Sequence, residues 1–397
     1  MLCCGVEYAC YKFSHHAELA INDINLVTTF VLNMSKPRLN RLPRIATRCF
    51  HSKLPQTPRR SILNPPSKQS HRTLFTESLP PLLIPPAIFT SLLLGLWTWK
   101  CLWIILLQDK LLYLSWLPPL SRSERIDDYK NELRGVHWAE KQLFSLDGTR
   151  LVVCEGSIQP ERKKKRKGRK VICYFQGNGG STPLRLPLLS SVLNALEREE
   201  EEVILLALSY RGYWKSSGRA TQKGIQNDSK AFIDWVFNTY ACPDLDVQVV
   251  LWGHSLGAAV AASALAHLSN PQRERITGLV LEAPISSIRD MLVSLYPQRW
   301  LPYRYLWPFS WNTWDTSHHL EEIASTVPGA LKILLMSPED DEVIPPWVAD
   351  TLEDKGKGLG LDVQRVRVKG AMHVESLMKD QGRTALVDFV SKDKDNA

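Results

Sequence analysis

The segment Gly253-His254-Ser255-Leu256-Gly257 closes the apolar run VVLW and opens the small-residue run AAVAASALA. A serine between two glycines at a strand-to-helix junction is suited to nucleophilic attack on an acyl carbon. The sharp turn lifts its Oγ above the end of the sheet, at the cost of a strained backbone. Such a turn needs small residues two positions away on either side, and Gly253 and Gly257 supply them. Ala258, Ala259, Ala261 and Ala262 let the following helix pack close to the sheet. A helix N-cap is the other use of a serine here, but a cap needs neither glycine.

A serine nucleophile requires a base and an acid that orients it. At strand–turn–helix sites of this kind they follow along the chain in the order Ser, acid, His. Four histidines follow Ser255: His267, His318, His319 and His373. His267 lies on the helix after the turn and points away from its start. His318 and His319 fall in a segment read as irregular. His373 follows the strand VQRVRVKG and precedes the last helix, and strand C-termini are where site groups gather in an open α/β sheet. His373 is therefore the expected base. The acid should end the preceding strand, in LKILLMSPEDDEVIPP. Glu339, Asp340 and Asp341 are available there.

Acyl transfer also develops negative charge on the carbonyl oxygen, which pre-placed N–H groups stabilise. The expected donors are the backbone N–H groups of Leu256 and Asn178. Asn178 lies in the turn YFQGNGGS, where Gly177, Gly179 and Gly180 permit a tight path. The phosphate-loop pattern GxxxxGK[ST] is missing from the chain. No cofactor and no metal is expected.

These residues need a framework of alternating elements. HWAEKQLFSL, the turn Asp147-Gly148 and TRLVVCEG read as a β-hairpin. VICYFQ, VILLALSY, VQVVLWG, TGLVLEA, LKILLM and LDVQRVRV read as further strands. Between and after them lie helical stretches in PLLSSVLNALERE, TQKGIQNDSKAFIDWVFNTY, SLGAAVAASALAHL and SLMKDQGRTALVDFV. Strand–helix alternation with continuously apolar strands predicts an α/β fold. Its sheet is expected to be eight-stranded, mostly parallel and covered by helices on both faces.

Taken together, YFQGNGGS, LSYRGYWKSSG, QNDSKAFIDW, WGHSLGAAVA, LEAPISSI, EDDEVIPP and AMHVE resemble the α/β-hydrolases. The likeness is to membrane-anchored serine hydrolases related to the fungal bud-emergence protein and to animal anchored acyl hydrolases. It runs over roughly residues 135–392. The resemblance implies ester, thioester or amide hydrolysis without a cofactor, with lysophospholipids, monoacylglycerols and palmitoyl-proteins among the relatives' substrates. It also implies Asp341 as the acid, with Asp340 one residue away as the alternative, because Ile344-Pro345 aligns with the end of the family pattern HGxxDxxVP. Three features depart from it. Gln176 stands where relatives carry His, Ser337-Pro338 replaces His-Gly before the acid, and the basic stretch 162–170 reads as an insertion.

The N-terminal third has a different composition. Residues 1–33 carry no basic excess. Residues 34–76 hold ten Lys and Arg and no acid, the pattern of a mitochondrial presequence. PPAIFTSLLLGLWTWKCLWIILLQ follows; about 22 apolar residues cover roughly 33 Å, enough for one bilayer span. Lys100 is expected to snorkel, and Trp97, Trp99, Trp103 and Trp116 suit an interfacial belt. A helix lying in one leaflet is the alternative.

The expected organisation is a basic targeting segment (1–80), an anchor (84–108) and a hydrolase domain (132–392) with a lid at about 285–328. Its membrane is expected to be the mitochondrial inner membrane, or the endoplasmic reticulum and secretory membranes if the presequence reading fails. A start at Met34 rather than Met1 also fits this pattern.

The chain carries +8, but segment 34–76 contributes +10 and Glu161–Lys170 a further +7, so the remainder is acidic. The high pI thus comes from two local runs and argues against nucleic-acid binding. Arg162, Lys163, Lys164, Lys165, Arg166, Lys167, Arg169 and Lys170 form a loop expected to touch anionic lipid. The lid is rich in aromatics, either facing lipid or packing the lid down. The eight cysteines show no metal-type spacing. The expectation is a membrane-anchored serine esterase, lipase or acyl-protein thioesterase. The alternative is a retired hydrolase serving as a membrane scaffold.

Overall fold

The computed structural model describes residues 80–158, 168–197, 201–240, 246–326 and 331–391. The targeting segment, Arg162–Lys167 and Cys3, Cys4 and Cys10 lie outside the described residues. The chain divides at Gly95 into two units. The described part of the first is a 3-10 turn, Pro81–Leu83, and the first half of α1 (Ile84–Leu106). None of α1 is buried. The stretch Pro81–Leu106 has a mean hydropathy of 1.6, and is the one described helix long and apolar enough to cross a membrane.

The second unit holds an eight-stranded sheet in the order β1-β2-β4-β3-β5-β6-β7-β8. The strands are β1 (His137–Phe144), β2 (Arg150–Ser157), β3 (Gly168–Phe175), β4 (Glu201–Ser209), β5 (Asp246–His254), β6 (Ile276–Glu282), β7 (Lys332–Pro338) and β8 (Asp362–Val368). β1 and β2 form the expected antiparallel hairpin, β2 pairs antiparallel with β4, and the remaining pairs are parallel. The other helices are α2 (Gln108–Tyr113), α3 (Thr182–Leu196), α4 (Gln222–Tyr240), α5 (Leu256–Ala266), α6 (Asn270–Arg273), α7 (Ile288–Leu295), α8 (Thr316–Thr326), α9 (Pro346–Gly358) and α10 (Asp380–Ser391).

Alternate side chains of each inner strand enter opposite cores, which explains the continuous apolar runs. Val171, Cys173, Phe175, Val249 and Leu251 pack with Phe232 and Ile233 of α4 and Val260 of α5. Ile172, Tyr174, Val250 and Trp252 pack with Leu186 and Leu189 of α3 and Phe389 of α10. Cys154 and Cys173 are buried free thiols within strands.

β3 lies between β4 and β5, so the crossovers that leave β3 and enter β5 run on opposite faces of the sheet. Doubly wound sheets hold ligands beyond the strand carboxyl ends at such a reversal, here those of β3 and β5. Phe175 pairs with Gly253 there, setting the turn YFQGNGGS beside the Ser255 turn.

Three expectations change. His318 and His319 lie on a regular helix, α8, with His319 buried and His318 exposed. Arg169 and Lys170 belong to β3 rather than to a free basic loop. Arg169 Nε bonds Glu202 at 2.6 Å, and Lys170 Nζ, 3% exposed, donates to the Val390 carbonyl at 2.8 Å. Parallel pairing with β4 brings Glu201 and Glu202 alongside them, so both side chains are engaged within the sheet. Finally, α3 starts at Thr182, five residues ahead of the run PLLSSVLNALERE, because Ser181 caps it and accepts from Leu184 N–H.

The loop after β4 is anchored by a buried ion pair. Arg211 Nη2 lies 2.7 Å from Asp228 Oδ1 on α4, and Nη1 lies 2.7 Å from Asp147 in the β1–β2 turn. Hydrogen bonds from Arg211 and Thr149 hold the Asp147 carboxyl well below the usual carboxylate range.

Candidate active site

β5 ends at His254 and α5 begins at Leu256, leaving Ser255 alone in the turn at φ 54°, ψ −118°. That conformation costs a non-glycine residue about 1–3 kcal/mol. The surroundings explain why it persists. A Cβ on Gly253 would sit 2.1 Å from the Gly257 carbonyl oxygen, and one on Gly257 would sit 2.0 Å from the Phe175 oxygen. The helix and two strands therefore meet at van der Waals limits that only glycine permits. Ser255 N–H donates to the Glu282 carbonyl at 2.8 Å, fastening the turn to the end of β6. Ser255 occupies the N-cap position of α5, but its hydroxyl makes no capping bond.

Asp341 follows β7. Its Oδ1 accepts from the N–H groups of Val343 (2.9 Å) and Ile344 (2.7 Å), which fixes the carboxylate in a local turn. His373 Nδ1 lies 2.9 Å from Asp341 Oδ2 and 3.0 Å from Oδ1. Asp341 is thus the carboxylate that meets His373, whereas Asp340 is exposed and contacts the Ala371 carbonyl only through its backbone N–H. Nδ1 donates to the carboxylate, so Nε2 carries the lone pair. Glu342 also grips the histidine, accepting from His373 N–H at 2.9 Å.

His373 packs against His254, the residue that precedes Ser255 in the chain. The two imidazole centroids are 5.1 Å apart, and His254 Nε2 is 3.2 Å from the His373 carbonyl. Gly177 backs this arrangement, since a Cβ there would lie 2.7 Å from His254 Nδ1 and 3.3 Å from Ser255 Cβ. Asn178 is exposed at the same rim. Among the described residues, the N–H groups of Asn178 and Leu256 donate to no protein acceptor, so both remain available to an incoming oxygen. An imidazole oriented by a carboxylate, a strained serine and free N–H groups are the components acyl transfer uses.

No protein-family model matches the chain. It is 27% identical over 241 residues to protein bem46 of Schizosaccharomyces pombe, covering 60% of this chain and 71% of that one. It is 28% identical over 282 residues to the alpha/beta hydrolase domain-containing protein WAV2 of Arabidopsis thaliana, covering 69% and 83%. Similarity to the lysophosphatidylserine lipase ABHD12 of Danio rerio is 27% over 200 residues, 48% of each chain. The crystal structure of an alpha-beta hydrolase from Vibrio vulnificus superposes with a TM-score of 0.52 at 16% identity, covering 71% of this chain and 89% of that one. The chain has the α/β-hydrolase fold.

A second layer of this site was not apparent from motif spacing. His254 is buried and held neutral, first by desolvation and then by the positive Arg185. Arg185 Nη2 lies 3.3 Å from His254 Nδ1, so Nδ1 accepts and Nε2–H donates to His373. Beneath it, the Glu282 carboxyl accepts from Trp252 Nε1 at 3.0 Å and is pushed up to about 7 by burial. Gln176, the residue in place of the usual histidine, accepts from Thr182 through its side chain and from Tyr210 through its carbonyl. The signal for His254 was in plain view inside the Ser255 motif; its partners come from α3 and the loop after β8.

The segment between β6 and β7, where a lid was expected, contains α7, two 3-10 turns (Pro302–Tyr305 and Trp307–Phe309) and α8. Its aromatics divide. Trp314 and Tyr303 are buried, with Trp314 Nε1 donating to Tyr113 Oη at 2.9 Å. Trp300, Tyr305, Trp307, Phe309 and Trp311 are exposed. The lid is fastened to the chain just after the apolar helix: Gln108 bonds Ser310, Trp311 and Asn312, and Asp109 bonds Trp311 and Asn312. Lys100 Nζ sits over the Tyr303 ring at 4.3 Å, so a lid aromatic shelters the ammonium that was expected to snorkel.

Proposed function

We propose that this chain is a membrane-anchored serine hydrolase that cleaves carboxylic ester or thioester bonds of lipid-type substrates. The observation that carries the reading is the Asp341–His373 hydrogen-bonded pair adjoining the strained Ser255 turn. His373 Nε2 takes the proton from Ser255 Oγ as Oγ attacks the acyl carbon. Asp341 holds the imidazole's orientation and stabilises its positive charge. Leu256 N–H and Asn178 N–H receive the developing oxyanion, each worth roughly 3 kcal/mol of barrier. The leaving alcohol or thiol takes the proton back from His373. Water, activated by the same imidazole, then releases the acyl group and restores Ser255.

A lipid substrate is supported by three observations. ABHD12 relatives are named as lysophosphatidylserine lipases. An apolar helix of spanning length precedes the domain. Exposed Trp and Tyr side chains crowd the lid, and such rings suit a half-wet interface. Palmitoylated protein is a second substrate class with the same acyl chemistry. On the acid-free composition of residues 34–76 we place the anchor in the mitochondrial inner membrane, with an endoplasmic reticulum anchor as the alternative.

Labelling of membranes by a fluorophosphonate probe tests the activity. Wild type should label, and Ser255→Ala and His373→Ala should not. A folded wild type that fails to label supports a scaffold role instead. Imaging of chains begun at Met1 and at Met34 tests the address: mitochondrial signal from either supports the presequence, and reticular signal from both overturns it.

A further inference from the structure

At the far end of the helix that Ser255 starts, His267 forms the C-cap of α5. Its Nδ1 lies 2.7 Å from the Ser263 carbonyl. A carbonyl only accepts, so Nδ1 bears the hydrogen and Nε2 keeps its lone pair. Helix α8 packs against α5 and contributes His319 and Glu322, three residues apart and so on one face. His319 Nδ1 is 2.9 Å from Glu322 Oε2, and the His267 and His319 ring centroids are 5.9 Å apart. One donor atom from each of His267, His319 and Glu322 lies within 4.8 Å of the other two.

We propose that His267, His319 and Glu322 bind a zinc ion that clamps α5 to α8. Two imidazoles and a carboxylate, with water in the fourth position, form a recognised three-ligand zinc set. Calcium and magnesium favour all-oxygen shells and are disfavoured by two nitrogen donors. Bonds of about 2.0–2.1 Å put tetrahedral donors roughly 3.3 Å apart. The donors must close from within 4.8 Å to that spacing, and His267 is exposed and Glu322 only half-buried, which leaves their side chains room to move. Outer contacts are already in place. The Ser263 carbonyl orients His267, and His318 Nε2 lies 3.5 Å from Glu322 Oε1, the oxygen not facing His319. Such partners set the direction of metal ligands and add to affinity. Glu321 is turned away onto Lys355 at 2.8 Å, outside the set. The ion would join the helix behind Ser255 to the helix that ends the lid, far enough from the serine to act on rigidity rather than on chemistry.

The test uses the full-length, tag-free chain in detergent, stripped with chelator and titrated with zinc chloride by calorimetry, with thermal unfolding followed in parallel. One zinc per chain is expected, raising the unfolding temperature by about 3 °C or more. His267→Gln and Glu322→Gln should each weaken uptake at least tenfold and abolish that rise, while magnesium chloride gives none. The metal-free unfolding temperature of each variant reports whether it is folded, and either folded variant suffices. No uptake by wild type, or uptake within twofold of wild type in a folded variant, overturns the proposal.

Discussion

The Ser255 turn and the segment between β6 and β7 are held in different ways. The turn is over-determined. Backbone carbonyls lie within about 2 Å of where a Cβ would be at Gly253 and Gly257, and buried hydrogen bonds run from Arg185 through His254 to His373. The segment between β6 and β7 is held by α8 packed on α5, around Trp314, and by Gln108 and Asp109, and five of its large aromatics face outward. The difference teaches that a strained backbone turn persists in a surround that cannot yield, whereas a packed segment between two strands can leave large aromatic side chains at the surface.

The contrast can be broken from the rigid side first. Ser255→Ala should reduce ester turnover by about 10⁴-fold or more with stability unchanged; residual turnover above that level means another nucleophile. Gly257→Ala forces a Cβ onto the Phe175 carbonyl, and a loss of about 3 kcal/mol in denaturant unfolding is expected. A loss under about 1 kcal/mol would show that the turn yields after all.

Glu282 offers a pH signature. Its folded value of about 7 lies above the ordinary 4.5, so the folded chain holds this proton more tightly than the unfolded one. Its contribution to stability is full below pH 4.5, declines as pH rises to about 7, and is absent above that, a fall of about 3 kcal/mol. Glu282→Gln keeps an acceptor for Trp252 and should remove that fall, read as the difference between the two proteins' unfolding curves at pH 5 and pH 8. Identical pH profiles would mean the carboxyl is not buried.

His254→Ala frees the His373 backbone and should lower kcat about 10²-fold with KM little changed. A change confined to KM would assign His254 to substrate binding instead. The smallest effect belongs to the lid. Replacing Trp300 and Trp307 by Ala should shift stability by no more than about 0.5 kcal/mol per site. Turnover of bilayer-borne ester should fall while that of a soluble short-chain ester persists; equal losses on both would make these rings part of the acyl pocket.

Much of this was legible in one dimension because the signals are local. A hydrophobic run followed by GHSLG and small residues specifies strand, tight turn and close-packed helix, and the structure has all three at Val249–Ala266. The β1–β2 hairpin announced itself by Asp147-Gly148 between alternating runs. Boundaries were less legible. The capping bond of Ser181 starts α3 early, and α8 forms where polar residues hide the helical period of His319, Leu320 and Ile323.

The residue types and their order by themselves determined the α/β alternation, the Ser255 turn, the apolar helix and the aromatic character of the lid, because each depends on neighbours within a few positions. Tertiary structure alone decided which carboxylate meets His373, that Arg169 and Lys170 are enclosed in the sheet, and that His267 faces His319 and Glu322. Those choices depend on strand register and helix packing between segments tens of residues apart. A one-residue slip there would turn a different side chain to the same place, and only the packed core sets that register.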